Sequence, residues 1–158
     1  PLQKNQLYRV TFNNQITDCL GNSTAIPATL EIGIAEPWQS GDVIINEVLF
    51  NPQSGGSDFI ELYNISGKIL NLNDLQIINT QKTGSTASIS IQKDYLFLPG
   101  NYIAITENPQ DLRERYNPPL NAPLLQNDLP TLDDKQGNVT LRYNGATIDS
   151  FDYTDALH

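Results

Sequence analysis

Short runs of β-branched and aromatic residues, each closed by Gly, Pro, Asn or Ser, recur from Leu7 to Tyr153, while the apolar spacing of an amphipathic helix is almost absent. Side chains arranged this way are buried by pairing strands, so the fold class is all-β. Leu7-Tyr8-Arg9-Val10-Thr11-Phe12 alternates apolar with polar residues, and Asn13-Asn14 supplies residues suited to a tight turn. After the corner from Ile16 to Asn22 comes a second extended piece, Ala28 to Ile34. Ala35 to Gly41 reads as a connection, because Pro37 cannot donate to a ladder and Ser40-Gly41 is flexible; residues 37–41 are taken as the linker.

From Asp42 the pattern sharpens. Val43 to Phe50 and Phe59 to Asn64 flank a loop of Pro, Gly, Ser and Asn, which predicts an antiparallel hairpin. Further strands are expected at Ile69 to Leu72, Gln76 to Ile78, Ala87 to Ile91, Tyr95 to Leu98 and Tyr102 to Thr106. One helix is expected over residues 109–116: Asn108 can cap it, Pro109 suits its first position, and Leu112 and Tyr116 lie one turn apart. Asn117-Pro118-Pro119 ends it. Leu120 to Gly137 reads as loop, and Asn144-Gly145 joins a last hairpin of Asn138 to Tyr143 and Thr147 to Tyr153.

The 158 residues hold 18 acidic against 9 basic side chains, a net charge of −9. Phosphate backbones and anionic lipid surfaces repel such a chain, so neither nucleic acid nor a membrane surface is an expected partner. No apolar run is long enough to span a bilayer, and nothing at the N-terminus resembles a signal peptide. One Cys and one His permit neither an internal disulfide nor a Cys/His zinc site, and Cys19 is expected to be a small buried hydrophobe. The absence of Met, even at position 1, leads us to expect a processed product or an excised piece, with chain before Pro1.

Reactive chemistry has few footholds. His158 sits at the chain end, and no nucleophile elbow, phosphate loop, dinucleotide fingerprint or zinc-protease motif occurs. Carboxylates remain. A hairpin symmetric about Ser54 sets Glu47 opposite Glu61, which would raise one carboxyl and make a general acid. Like charges directly opposite destabilise a sheet, however, so a shifted register or a partner for each glutamate is the expected outcome. Asp128, Asp133 and Asp134 with Gln136 and Asn138 offer hard oxygens of the kind Ca²⁺ takes, but the spacing fits no EF-hand and acidic loops are usually solvated. Asp18 and Asn22 are expected to cap their own turn. Trp38, Tyr143, Phe151 and Tyr153 are candidates for a sugar-stacking platform, although their alternation in strands argues first for packing. Asn22, Asn64 and Asn138 begin N-glycosylation sequons, relevant only in a eukaryotic secretory pathway. No catalytic, cofactor-binding or metal-ligating residue is assigned, and no cofactor is expected.

Ile45-Asn46-Glu47-Val48, then Asn51-Pro52, then Asp58-Phe59-Ile60-Glu61-Leu62-Tyr63-Asn64 closely resembles the opening of bacterial lamin-tail domains. Leu72-Asn73-Asp74-Leu75-Gln76-Ile77 and Phe97-Leu98-Pro99-Gly100-Asn101-Tyr102-Ile103-Ala104-Ile105 follow in that family's order. The resemblance spans roughly residues 42 to 153 and implies an immunoglobulin-like antiparallel β-sandwich, used as an accessory module of large secreted or surface-anchored bacterial proteins. Residues 1–36 are similar to the last strands of a preceding bacterial immunoglobulin-like repeat. They are expected to add to an edge of the sandwich or to pair with a second copy, since an isolated hairpin is marginal. The domain itself runs over 42–158, and relatives usually carry one more strand, so its closing strand is expected to be missing or supplied from elsewhere, which would favour a strand-exchange dimer. What the resemblance implies is a non-enzymatic, extracellular spacer, scaffold or protein-interaction module, partnered by neighbouring domains or other surface proteins. Its rivals are an adhesion or glycan-binding module and a hydrolase using Glu47 with Glu61, or a metal at the Asp128 to Asp134 loop.

Overall fold

The computed structural model describes residues 1–12, 15–23 and 28–157. In chain order its elements are β1 (Tyr8–Phe12), β2 (Ala28–Ile32), β3 (Val43–Leu49), β4 (Phe59–Asn64), β5 (Leu70–Asn71), β6 (Gln76–Gln81), β7 (Thr86–Ser90), β8 (Leu96–Phe97), β9 (Tyr102–Thr106), α1 (Pro109–Tyr116), β10 (Leu124–Gln126), β11 (Gln136–Tyr143), β12 (Ala146–Thr154) and a 3-10 turn at Asp155–Leu157. Two four-stranded sheets, ordered β10-β9-β4-β3 and β12-β11-β6-β7, form the sandwich. The short pair β5-β8 and the separate pair β1-β2 complete the sheets.

Alternation explains which side chains meet. In β4, Ile60 and Leu62 turn inward and are fully buried, while Phe59, Glu61 and Tyr63 are half-buried on the other face. Ile103 and Ile105 of β9 do the same, and from the second sheet Ile77, Val139, Leu141 and Ile148 close the same apolar cluster. Phe97, fully buried, fills one end of it. The buried amides are partnered: the Asn64 side chain donates to the carbonyls of Lys68 and Phe97, each at 2.9 Å, and that of Asn79 donates to the Thr131 carbonyl at 2.6 Å, whereas the buried Glu36 Oε1 has no hydrogen-bond partner among the described residues.

Turn chemistry follows the residues. Asn144 and Gly145 both take positive φ, 48° and 81°, as the two-residue turn between β11 and β12 requires. The Asn108 side chain accepts from the Asp111 amide at 3.2 Å to start α1, and Asn117 ends it in the left-handed region. A bulge in β12 turns the Ile148 carbonyl toward Gly41, whose N–H donates to it at 2.9 Å, and the Ile45 N–H donates to Asp149 Oδ2 at 2.7 Å. These contacts cover part of the β3 edge.

Residues 36–42 have no regular structure but are fastened to the sandwich. The Glu36 N–H donates to the Ile69 carbonyl, Trp38 Nε1 to the Asn71 carbonyl, and Lys68 Nζ bridges Asp42, Gln39 and the Pro37 carbonyl. Composition alone gave Ser40-Gly41 its flexible character; the ion pair and these backbone bonds are contributed from elsewhere in the chain.

Three expectations are corrected. Leu120 to Gly137 is not all loop: it contains β10, which pairs parallel with β9 after the crossover through α1. Three residues between Pro123 and Asn127 are too few to display an alternation. Cys19 is exposed, because it sits at the tip of the turn capped by Asp18. Of the two outcomes expected for the N-terminal ribbon, addition to an edge of the sandwich is the one not found: β1 pairs with β2, Val10 opposite Leu30, and neither joins a four-stranded sheet. Arg9 and Glu31 form an ion pair across it, while Val10, Phe12 and Leu30 stay exposed. The Asn13-Asn14 turn, Thr24 of the first sequon and His158 lie outside the described residues.

Candidate functional site

Because Ile60 and Leu62 are drawn into the core, β4 must present Phe59, Glu61 and Tyr63 on the outer face of the first sheet. β9 adds Tyr102 beside them, and the two tyrosine rings stack with centroids 4.3 Å apart and planes 20° apart. Over the other end of this face lies α1, with Leu112 buried and the Tyr116 ring edge-on to Phe59 at 6.3 Å. Between helix and sheet runs a groove of about 310 Å³. Leu49, Phe59, Tyr102, Tyr116 and Pro123 supply its apolar walls, and Glu47 and Glu61 its charges.

Glu47 and Glu61 are paired across β3 and β4, where the sequence led us to expect a shifted register or a partner for each glutamate. The pairing keeps the hairpin register of Leu49 with Phe59 and Val48 with Ile60, and only beyond it does a bulge leave Asn46 as the extra residue, with Ile45 opposite Leu62. Magnitudes explain why the charges give way. An opposed like-charge pair costs about 0.2–1 kcal/mol, whereas each buried aliphatic side chain on the core face contributes about 1.5–3 kcal/mol. Ile45, Val48, Ile60 and Leu62 therefore set the register, and the glutamates follow. The Asn46 side-chain amide donates to Glu61 Oε1 at 2.7 Å, partly compensating one of them. Partial burial, and next the Glu61 charge, raise the Glu47 carboxyl above the ordinary range.

Asp58, at the entrance to β4, has a carboxyl pushed up to about 6, first by burial and then by Asp134 and Glu107. A carboxyl raised in the folded state binds its proton more tightly there than in the unfolded chain, so stability falls as pH rises from 3.8 to about 6. Asp58→Asn is accordingly expected to stabilise the domain at pH 7 by about 1 kcal/mol, after allowance for its half exposure, and to gain little at pH 3.5. Urea unfolding at the two pH values measures this; an equal gain at both would contradict it.

The other candidates separate. Asp133 Oδ1 accepts from the amides of Lys135 and, more weakly, Gln136, while Asn138 faces Ser150 and Asp152. Among the described residues no three Asp, Glu, Cys or His side chains are grouped to hold a metal ion, those of the Asp128 to Asp134 loop included. Asp18 caps its own turn, accepting from the Leu20 and Asn22 amides, and the Asn22 side chain, then its backbone, holds the carboxyl below the usual range. The four aromatics do not form one platform. Trp38 stacks on Tyr143 at 5.2 Å, half-buried, whereas Tyr153 is a core residue against Phe50 at 4.5 Å and Phe151 stands apart on β12. Asn64 is fully buried with its amide engaged, which leaves no room for a glycan.

Sequence reasoning missed Tyr63, Tyr102, Phe59 and Tyr116 as a set. For Phe59 and Tyr63 the signal was present in the two-residue period, since assigning Ile60 and Leu62 to the core puts their odd-numbered neighbours on the opposite face, as Ile103 does for Tyr102; Tyr116 reaches that face only through the packing of α1.

A search of curated proteins returns no match. A family model described as Lamin Tail Domain matches residues 36–155, from the fastened segment before β3 to the end of β12, and takes in both large sheets, α1 and the groove. Its immunoglobulin-like sandwich and the arrangement seen here agree, and a non-catalytic β-sandwich module is what that family supports. The chain therefore belongs to the lamin tail domain family.

Proposed function

We propose that this domain is a non-catalytic interaction module of a larger secreted or surface-anchored bacterial protein, and that it docks neighbouring domains or other surface proteins on the outer face of the β10-β9-β4-β3 sheet. The observation that carries this is the groove beneath α1, where aromatic and aliphatic walls line an open face. Its volume lies at the low end of the roughly 300–1,000 Å³ typical of ligand sites. Its lining holds no Ser, Thr, Cys, Lys or His, and its only hydroxyls are the phenols of Tyr102 and Tyr116, which favours binding over hydroxyl, thiol or amine nucleophilic chemistry.

Two measurements test it. Protease shaving of intact producing cells is expected to release peptides of this domain, and their protection until lysis would contradict a surface location. Against chromogenic glycosides, esters and phosphoesters the purified chain is expected to show no turnover; hydrolysis abolished by Glu47→Gln or Glu61→Gln would replace the module by the hydrolase.

A further inference from the structure

We propose that the groove beneath α1 takes an arginine side chain from an extended segment of a partner protein, with its guanidinium held between Glu47 and Glu61. This rests on the docking function above and names what docks. The only charged side chains lining the groove are two carboxylates set directly opposite each other across β3 and β4. Among the described residues neither carboxylate has an ion pair. The arginines of the overlying helix are engaged elsewhere: Arg113 donates to the Ala122 carbonyl at 3.2 Å, and Arg115 bonds Asp111 and the Gly55 carbonyl. Two like charges held in register at the mouth of an apolar groove thus await a cation from outside the fold.

The surroundings select the kind of cation. Ca²⁺ takes about six to eight oxygens, and two carboxylates with one amide among apolar walls supply too few. A guanidinium suits them better, because its planar fork donates to two carboxylates at once and its face packs on aromatic rings such as Tyr102 and Phe59. A lysine ammonium lacks both the fork and the flat face. Long-range attraction points the same way, since a chain of net charge −9 draws basic segments toward it. One long side chain fits a groove of about 310 Å³.

The test is an amide-resolved NMR titration of the ¹⁵N-labelled chain with N-acetyl-Gly-Arg-Gly-amide, its neutral citrulline counterpart and its lysine counterpart. The arginine peptide is expected to shift amides of β3, β4, β9 and α1, saturating in about the millimolar range, with citrulline at least about tenfold weaker and lysine between them. The Glu47→Gln/Glu61→Gln chain should lose that binding while keeping a dispersed spectrum. Single Glu47→Gln should also raise the unfolding midpoint at pH 7, because it relieves the opposed charges, and the rise should shrink as the pH falls to 4. No shift at about 10 mM peptide, or shifts confined to other surfaces, would overturn the assignment. Equal binding of the citrulline peptide would overturn the charge recognition and leave docking in place, whereas cleavage of any probe would overturn the non-catalytic module itself.

Discussion

Phe97→Ala is expected to destabilise the domain by about 3–5 kcal/mol, a large share of the roughly 5–15 kcal/mol that holds a typical domain folded. Phe97 is fully buried, sits opposite Leu70 in the short β5-β8 pair and closes one end of the core between the sheets. Its ring cannot be replaced by its neighbours without moving them, because the strands on both sides are pinned by backbone pairing. The loss extends beyond transfer of a ring to water. The Phe97 carbonyl accepts from the buried Asn64 amide at 2.9 Å, and a shift of β8 into the cavity would strain that bond too. Thermal unfolding should fall by on the order of 10 °C for a chain of this size. A cost below about 1.5 kcal/mol in urea unfolding would show that the core does not close at β8 as described.

The second large effect is at Gly137. Its φ is ordinary, so backbone freedom is not the reason for glycine; contact is. A methyl group there would stand 2.5 Å from Tyr153 Oη and 2.7 Å from its Cζ. Tyr153 cannot easily retreat, since its hydroxyl accepts from the Asp133 amide at 2.9 Å, donates to Asn79 Oδ1 at 3.3 Å, and its ring lies on Phe50. Gly137→Ala is expected to cost about 2–3 kcal/mol, combining overpacking with at least one displaced buried hydrogen bond. In a Tyr153→Ala background the same substitution should cost almost nothing, because the obstacle has gone. Additive losses in the double variant would place the strain elsewhere.

Local signals carried much of the fold. The hairpins of β3 with β4 and β11 with β12 are legible because an alternating pattern is interrupted by residues that favour turns, and Asn144-Gly145 tolerates the positive φ that its turn needs. Asn108 followed by Pro109 marks the start of α1 for an equally local reason. What could not be read is whatever depends on distant partners. β10 exists because β9 offers it a free edge after the crossover, and Leu124–Gln126 alone gives no sign of it. Residues 36–42 are held by Lys68, Ile69, Asn71 and Ile148, none of which is a sequence neighbour. Cys19 is exposed because Asp18 turns the chain outward, a local effect that outweighed the usual burial of cysteine.

The candidate site divides along the same line. The opposition of Glu47 and Glu61 follows from hairpin symmetry, but its electrostatic cost argued against it. Packing settles the contest, because four aliphatic side chains on the core face outweigh one repulsive pair on the other. The groove itself needed α1 to fold back across the sheet, and that follows from the long crossover between β9 and β10.

The most direct test of the docking face is site-specific photocrosslinking in intact producing cells. A benzophenone side chain is placed at Tyr102 on the groove and, for comparison, at Phe151 on β12 of the opposite sheet, both positions being solvent-exposed. A working groove predicts a discrete adduct from position 102, mapping to an arginine-containing segment of one partner or of a neighbouring domain, and none from position 151. Equal adducts from both positions, or an adduct from 151 alone, would contradict it.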